Sequence, residues 1–355
     1  MGAKHFGVSG AREPKPGGSP QGRRPRGSQA DTGEIVIAHR LVGERFLVTG
    51  GCGFVGTGLV RALRAVGARV KVADLRPFPD PEVPTVVGDL RDDAVRRRAF
   101  EPPPAGVIHL AALTSVLESV RRPVEFHEVN VDVTAALLEL CREHDVRRFL
   151  FASTNAVTGD VGRQTIHEDM PLRPLTPYGG SKAAAEMLLS AYTHTYGMRA
   201  CALRLTNVYG PGMRGKDSFI PRLMRAACSG EEVDIYGDGH QSRDLVHLDD
   251  VCQAFGAVWQ AEHGGPLIVG SGHSVEVLDL VEAVRSTTGS ALPTRHVQAK
   301  PGEMPAVVVD ITRARRLGYD PDIDLSDGLA SVWRDFGGEP PALLEATGGY
   351  AGFGG

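Results

Sequence analysis

The chain has 355 residues, with 39 Lys+Arg against 43 Asp+Glu and 42% hydrophobic residues; it is long enough for a full core, and a net charge of −4 argues against a dedicated nucleic-acid binder. No uncharged apolar run reaches the roughly 18 residues of a spanning helix, and the first 30 residues lack the apolar stretch of a secretory signal. Five cysteines (Cys52, Cys141, Cys201, Cys228, Cys252) lie scattered without C-x-x-C spacing, which fits a reduced, cytoplasmic chain and argues against a disulfide framework or zinc knuckle.

Residues 1–44 hold nine Gly and four Pro and carry seven basic against four acidic residues, so this segment is at +3 and the remaining 311 residues are at −7. That composition predicts a disordered tail. Order begins at Arg45. Phe46-Leu47-Val48-Thr49 reads as a buried strand, residues 59–66 as a helix closed by Gly67, and Val70–Asp74 as a second strand. Thr85–Val87 and Gly106–Leu110 follow as strands, 124–144 as a long helix, Arg148–Phe151 as a strand, 178–196 as a helix and Ala200–Arg204 as a strand. Past Asn207 the turn signals Gly210-Pro211-Gly212 and Gly237-Asp238-Gly239 loosen the pattern. Leu267–Val269 reads as a last strand of the main sheet, and 275–289 and 311–318 as helices of a smaller lobe. Strands alternating with helices predict an α/β fold with a doubly wound parallel sheet. The expected division is 45–205 with 244–272 returning to it, a second lobe from 206–243 and 273–340, and a flexible terminus at 341–355.

Between the first strand and its helix, Thr49-Gly50-Gly51-Cys52-Gly53-Phe54-Val55-Gly56 spaces glycines as G-x-x-G-x-x-G. Glycine lets backbone approach a pyrophosphate, whose charge then sits at the helix N-terminus. Asp74, 18 residues past Gly56, ends the second strand, where a carboxylate accepts hydrogen bonds from ribose hydroxyls and repels a 2′-phosphate. These features predict a bound dinucleotide, NAD before NADP, with Arg76 keeping NADP open. Tyr178 and Lys182, four residues apart at a helix start, share one face. A phenol of pKa about 10 is a poor base at neutral pH, and an ammonium one turn away together with a positive nicotinamide stabilises its phenolate. Thr154, 24 residues upstream of Tyr178, follows a strand at the end of the sheet that carries ligands in such folds.

Further marks are Gly88-Asp89-Leu90, His109-Leu110-Ala111-Ala112, Asn130, LRLTNVYGP (203–211) and SRDLVHLDD (242–250). From about Arg45 to about Trp333 the chain thus resembles the extended short-chain dehydrogenase/reductase family, within it the NAD-dependent nucleotide-sugar epimerases and dehydratases, and most of all the UDP-sugar 4-epimerases. The resemblance implies a Rossmann sheet with an interleaved C-terminal substrate-binding lobe. It implies that Gly50, Gly53, Phe54, Val55, Gly56, Asp74, Asp89, Leu90, Leu110, Ala111, Ala112 and Asn130 surround NAD together with Tyr178 and Lys182, Asp89 by the adenine and Asn130 at a strand end. Thr154, Tyr178 and Lys182 match its catalytic triad. Asn207 and Arg243 match residues on the nucleotide-sugar phosphates, Tyr236 one against the nucleobase, and Glu303 an acid near the nucleotide ribose. A homodimer through the helices at 124–144 and 178–196 is implied as well. Thr158 stands where a tyrosine is frequent, and Lys300 where an arginine is.

Dehydratases of this family carry Asp-Glu directly after the catalytic Thr, and UDP-glucuronate decarboxylases tend to carry Glu at the second position; here Asn155 and Ala156 follow Thr154. The expected reaction is therefore C4 epimerisation of a UDP-hexose through a transient 4-keto sugar. UDP-glucose and UDP-glucuronate both stay open, with Arg214 a candidate partner of a C6 carboxylate. The alternatives are a dehydrogenase, decarboxylase or 4,6-dehydratase of the same family and a non-enzymatic nucleotide-sensing scaffold; the presence of both Tyr178 and Lys182 argues against the scaffold. The arginine runs at 96–98, 121–122 and 147–148 sit among acidic residues and read as solvated helix faces, so no nucleic-acid partner is expected. Twelve histidines show no H-x-x-x-H spacing, so no metal is expected, and the resemblance implies that His247, beside Asp249 and Asp250, is structural.

Overall fold

A computed structural model describes residues 41–299 and 306–338; the tail expected over 1–44 falls almost wholly outside the described residues, as do Lys300 and Glu303. In the first half the elements run β1 (Arg45–Thr49), α1 (Phe54–Ala65), β2 (Arg69–Asp74), β3 (Thr85–Val87), α2 (Asp93–Ala99), β4 (Gly106–His109), α3 (Val116–Arg121), α4 (Pro123–His127), α5 (Val133–Glu143), β5 (Arg148–Thr154) and β6 (Thr165–Ile166). The second half continues with α6 (Pro177–Tyr196), β7 (Arg199–Leu205), β8 (Asn207–Tyr209), α7 (Phe219–Ser229), β9 (Val233–Tyr236), β10 (Ser242–His247), α8 (Leu248–Ala261) and β11 (Gly265–Val269). The last elements are β12 (Ser274–Glu276), α9 (Val277–Thr288), β13 (Thr294–Val297), β14 (Val308–Val309), α10 (Thr312–Arg316) and α11 (Leu325–Asp335).

Seven parallel strands form the main sheet in the order β11-β7-β5-β4-β1-β2-β3. Strand side chains alternate between faces, and both faces are apolar because helices cover both. Phe46, Val48, Val70 and Val72 pack towards α1 and α8, while Leu47, Val107, Phe149 and Phe151 pack towards α5 and α6. Leu267–Val269 closes one edge as part of β11, as the sequence predicts. A third cluster, built on Leu223, Met224, Ile235, Val284, Leu329 and Val332, joins α7, β9, α9 and α11 into the smaller lobe. Small sheets β12-β10-β8 and β13-β9 tie that lobe together, while β14-β6 packs Ile166 and Val309 into the main core. None of the described helices is long and apolar enough to cross a membrane.

The single helix expected over 124–144 needs correction. It is α4 and α5 joined by a π-helical turn, Glu128–Asp132, and α3 precedes it where the sequence pattern gives no helix. The turn inserts one wide loop of backbone into an otherwise regular path, a feature that apolar periodicity does not report. The first helix starts at Phe54, not residue 59, because Gly53 is its N-cap.

Candidate active site

Strand order reverses at β1, whose neighbours are β2 and β4, so their carboxyl ends open a crevice. Gly50 turns the chain there with φ +70°, and a Cβ on it would lie 2.5 Å from the Ala111 nitrogen. A Cβ on Gly56 would lie 2.2 Å from the Gly50 carbonyl oxygen. No side chain caps α1, so its first N–H groups have no side-chain acceptor. Asp74 closes β2, and its carboxylate accepts the Cys52 N–H at 2.9 Å and the Arg76 N–H at 3.2 Å. A carboxylate has about four acceptor sites, so ribose hydroxyls still find room. Burial and the Asp74 charge push the Cys52 thiol up to about 11, which keeps it protonated.

The crevice measures about 570 Å³ and is walled by Gly50, Gly53, Asp74, Asp89, Leu90, Leu110, Ala111 and Ala112, with Arg76, Arg91 and Leu113 among the rest. Eight of the predicted cofactor residues therefore share one cavity. Asp89 is forked to Arg91 at 2.7 and 3.0 Å, and that guanidinium holds its carboxyl below the usual carboxylate range. Phe54 instead sends its ring to the apolar cluster of the smaller lobe, and Val55 packs into the main core. Apolar walls, an uncapped helix start, a glycine turn and a carboxylate at a strand end fit an adenine dinucleotide.

At the end of β5, Thr154 caps a 3₁₀ turn, Asn155–Val157, by accepting the Ala156 N–H at 3.2 Å. Helix α6 starts opposite because Thr176 caps it through the Gly179 N–H and Pro177 fills the first helical position; Gly197, left-handed at φ 68°, ends it. This start brings Tyr178 to the Thr154 side, and the Thr154 hydroxyl draws the phenol pKa down against the larger upward push of burial. Lys182 is 2% exposed; its Nζ donates to the Ala152 carbonyl at 2.9 Å and lies 4.4 Å from the centre of the Phe151 ring. Burial pushes its pKa down to about 7, with the Glu186 charge drawing it back up. His109, buried between Thr49 Oγ1 at 2.6 Å and Thr134 Oγ1 at 3.0 Å, is pushed down to about 3 by burial and stays neutral.

Asn130 does not lie at a strand end; it sits in the π-helical turn and reaches the cofactor crevice through other groups. Its amide exchanges two 2.9 Å hydrogen bonds with the backbone of Leu113, a wall residue, and donates a third to Ser181 Oγ beside Lys182. The wide π turn is what swings this side chain out of the helix wall towards both.

In the small sheet, Asn207 pairs opposite Leu245 in β8-β10, two positions from Arg243, so the register gives Asn207 and Arg243 one face. Asn207 Nδ2 donates to the Asp244 carbonyl at 3.0 Å, and Arg243 Nη1 to the Ser242 carbonyl at 2.8 Å. Tyr236 ends β9, its carbonyl accepting Gln241 Nε2 at 2.9 Å. Arg214 turns to the end of α11, 5.3 Å from the Phe336 ring centre and 3.4 Å from its carbonyl. His247 is structural, as predicted: Nδ1 accepts the Asp249 N–H at 3.2 Å to cap α8.

Two buried groups escaped the sequence reading. Asp244, fully buried, accepts Thr206 Oγ1 at 2.7 Å, the Ser271 N–H at 2.9 Å and the Gly272 N–H at 2.8 Å. Glu186 binds Arg204 beneath Lys182. The available signals were the spacing 178, 182, 186 along one helix face and an arginine inside the apolar run of β7.

Residues 46–270 match the family model described as the NAD dependent epimerase/dehydratase family. A dTDP-glucose 4,6-dehydratase of Streptomyces niveus is 32% identical over 307 residues, covering 81% of this chain and 91% of its own. Among solved structures, the UDP-glucose 4-epimerase of Thermus thermophilus in complex with NAD is similar at TM-score 0.78 and 34% identity, covering 83% of this chain and 99% of that one. MoeE5 in complex with UDP-glucuronic acid and NAD reaches TM-score 0.77 and 36% identity over 82% of this chain and 98% of that one. A crevice built for a dinucleotide, beside a buried lysine and a tyrosine one helical turn from it, agrees with that likeness along most of the chain: it belongs to the NAD-dependent epimerase/dehydratase family of nucleotide-sugar enzymes, and its cofactor is NAD.

Proposed function

We propose that the chain is a nucleotide-sugar 4-epimerase acting on a UDP-linked hexose, neutral or uronate. The observation that carries this reading is the turn after Thr154, where Asn155 is buried and Ala156 has no ionisable group. Eliminating water across C5–C6 needs an acid and a base beyond the tyrosine. Neither residue supplies one. Oxidation and re-reduction at a single carbon needs only the groups present. NAD, when bound, supplies the hydride acceptor and returns the hydride to the sugar.

In this reading Tyr178 takes the 4-hydroxyl proton, Thr154 holds that oxygen, and the Lys182 ammonium stabilises the phenolate. Asn207 and Arg243 hold the diphosphate, a task suited to a planar cation, with Tyr236 against the base and Glu303 by the nucleotide ribose. The sugar turns while its diphosphate stays anchored. The 4,6-dehydratase reading keeps a place because a dehydratase is as similar as the epimerases are. Incubating the NAD-loaded protein separately with UDP-glucose, UDP-glucuronate and dTDP-glucose distinguishes them by chromatography and mass. A C4 epimer of unchanged mass without accumulating NADH is expected; a product lighter by one water, or steadily rising NADH absorbance, overturns the epimerase reading.

We also propose that a second copy of the chain covers the outer face of α3, α4 and α6. Val116, Leu117, Val120 and Val124 from α3 and α4, with Met187 from the adjacent α6, are 44–70% exposed together. Such apolar clustering on one face supports an interface. Light scattering is expected to give a dimer for the wild type and a monomer for Leu117→Glu/Val120→Glu. A wild-type monomer at micromolar concentration would count against the dimer.

A further inference from the structure

Beneath Tyr178 and Lys182 lies a group of buried charges that the reaction above leaves unused. Glu186 is one further turn along α6, so Tyr178, Lys182 and Glu186 form a row on one helix face. Ser153 Oγ, at the end of β5 and next to Thr154, donates to Glu186 Oε1. Arg204, from β7, grips the same carboxylate with Nε 3.1 Å from both oxygens and Nη2 2.8 Å from Oε2, while its Nη1 donates to the Glu168 carbonyl at 3.0 Å. None of Ser153, Lys182, Glu186 and Arg204 is more than 7% exposed. A water-excluded carboxylate with this many donors is fixed in place, and its charge acts at short range through a low dielectric.

We propose that Glu186 is a positioning residue: held by Ser153 and Arg204, it keeps the Lys182 ammonium charged and aligned beside Tyr178. The inference rests on Tyr178 serving as the base, since only then does the charge on Lys182 matter to turnover. The surroundings of Lys182 explain the need. From β5 it receives the Phe151 ring and the Ala152 carbonyl and from β4 the neutral His109, while Tyr178 stands one turn before it on its own helix. Arg204 on β7 carries a like charge, and the buried Glu168 faces Arg204 through its carbonyl. Glu186 is the anion that opposes the burial of the ammonium. The same carboxylate ties α6 to β5 and β7, so the helix carrying Tyr178 and Lys182 is located against the strand end that carries Thr154.

The chain has only six lysines, which makes the test direct. In NAD-loaded protein labelled with ¹³C at lysine Cε, the signal missing from Lys182→Met identifies Lys182, and its titration is followed by NMR. In Glu186→Gln the midpoint is expected to fall by about one pH unit, a tenfold change in the ionisation constant. Glu186→Gln/Arg204→Met removes both charges, leaves no unpaired buried ion and is expected to fall less, yet still below wild type. Ser153→Ala deletes one hydroxyl that shares the carboxylate charge, and is expected to move the midpoint upward by a fraction of a unit. A scaffold role alone would alter melting and leave the midpoint in place. An unmoved midpoint in every folded variant overturns the proposal. The readout is an ammonium and not a sugar product: a chain that titrates as expected but forms no C4 epimer would overturn the reaction and leave this role standing.

Discussion

Tyr178→Phe is expected to lose about 10³-fold in kcat, roughly 4 kcal/mol of barrier, with the affinity for the sugar nucleotide nearly unchanged. The hydroxyl is the only part of the side chain removed, so packing at the start of α6 survives. What disappears is the hydroxyl carried one helical turn before Lys182. Burial alone raises the Tyr178 pKa, so less of it is phenolate at neutral pH than in water. In the proposed reaction the Thr154 hydroxyl, the ammonium and the positive ring of NAD would bring the phenolate within reach. A pre-steady-state trace at 340 nm with NAD-loaded protein reads the hydride step directly. Retention of more than a tenth of wild-type turnover would show that another group moves the proton.

Gly56→Ala is expected to purify without NAD, its affinity falling at least about 100-fold, some 2.7 kcal/mol. The added Cβ would stand 2.2 Å from the Gly50 carbonyl and 2.7 Å from the Gly51 Cα, and these atoms are backbone that no rotamer change can clear. The loop must open, and the α1 N-terminus then no longer meets the pyrophosphate. A further loss of about 1–3 kcal/mol in stability accompanies the overpacking. Gly180→Ala is the control: its Cβ meets nothing within 4 Å and lies inside α6, where alanine gains about 0.5–1 kcal/mol over glycine. NAD released by acid from each purified protein, measured by chromatography, checks both. Wild-type NAD content in Gly56→Ala would mean that the loop does not hold the dinucleotide as described.

The main sheet was legible because its strands are buried on both faces and read as short apolar runs between glycines. Phe46–Thr49, Val70–Asp74 and Leu267–Val269 all fall within the strands observed. The glycine loop was legible for a different reason: three positions there tolerate no side chain or a tight one at most, and the spacing records it. Apolar patterns fail where a charge is buried. Arg204 passed as one more residue of a strand, and its partner Glu186 as one more polar residue of a helix, because only the tertiary fold brings them together. The helix α3 escaped for the opposite reason, its Leu117 and Val120 facing outward and giving no core stripe. The shortest strands were the least legible: β6 and β14, two residues each, exist through their pairing with one another and not through local preference.

Asp244 has a mechanical consequence. The chain leaves the main sheet for the smaller lobe just after β7, at Thr206, and again just after β11, at Ser271 and Gly272, and all three residues bond to this one carboxylate. Two exits that would otherwise flex separately are riveted at a common point. Loss of that one carboxylate would therefore loosen both crossings together, and leave the hydroxyl of Thr206 and the N–H groups of Ser271 and Gly272 without their acceptor.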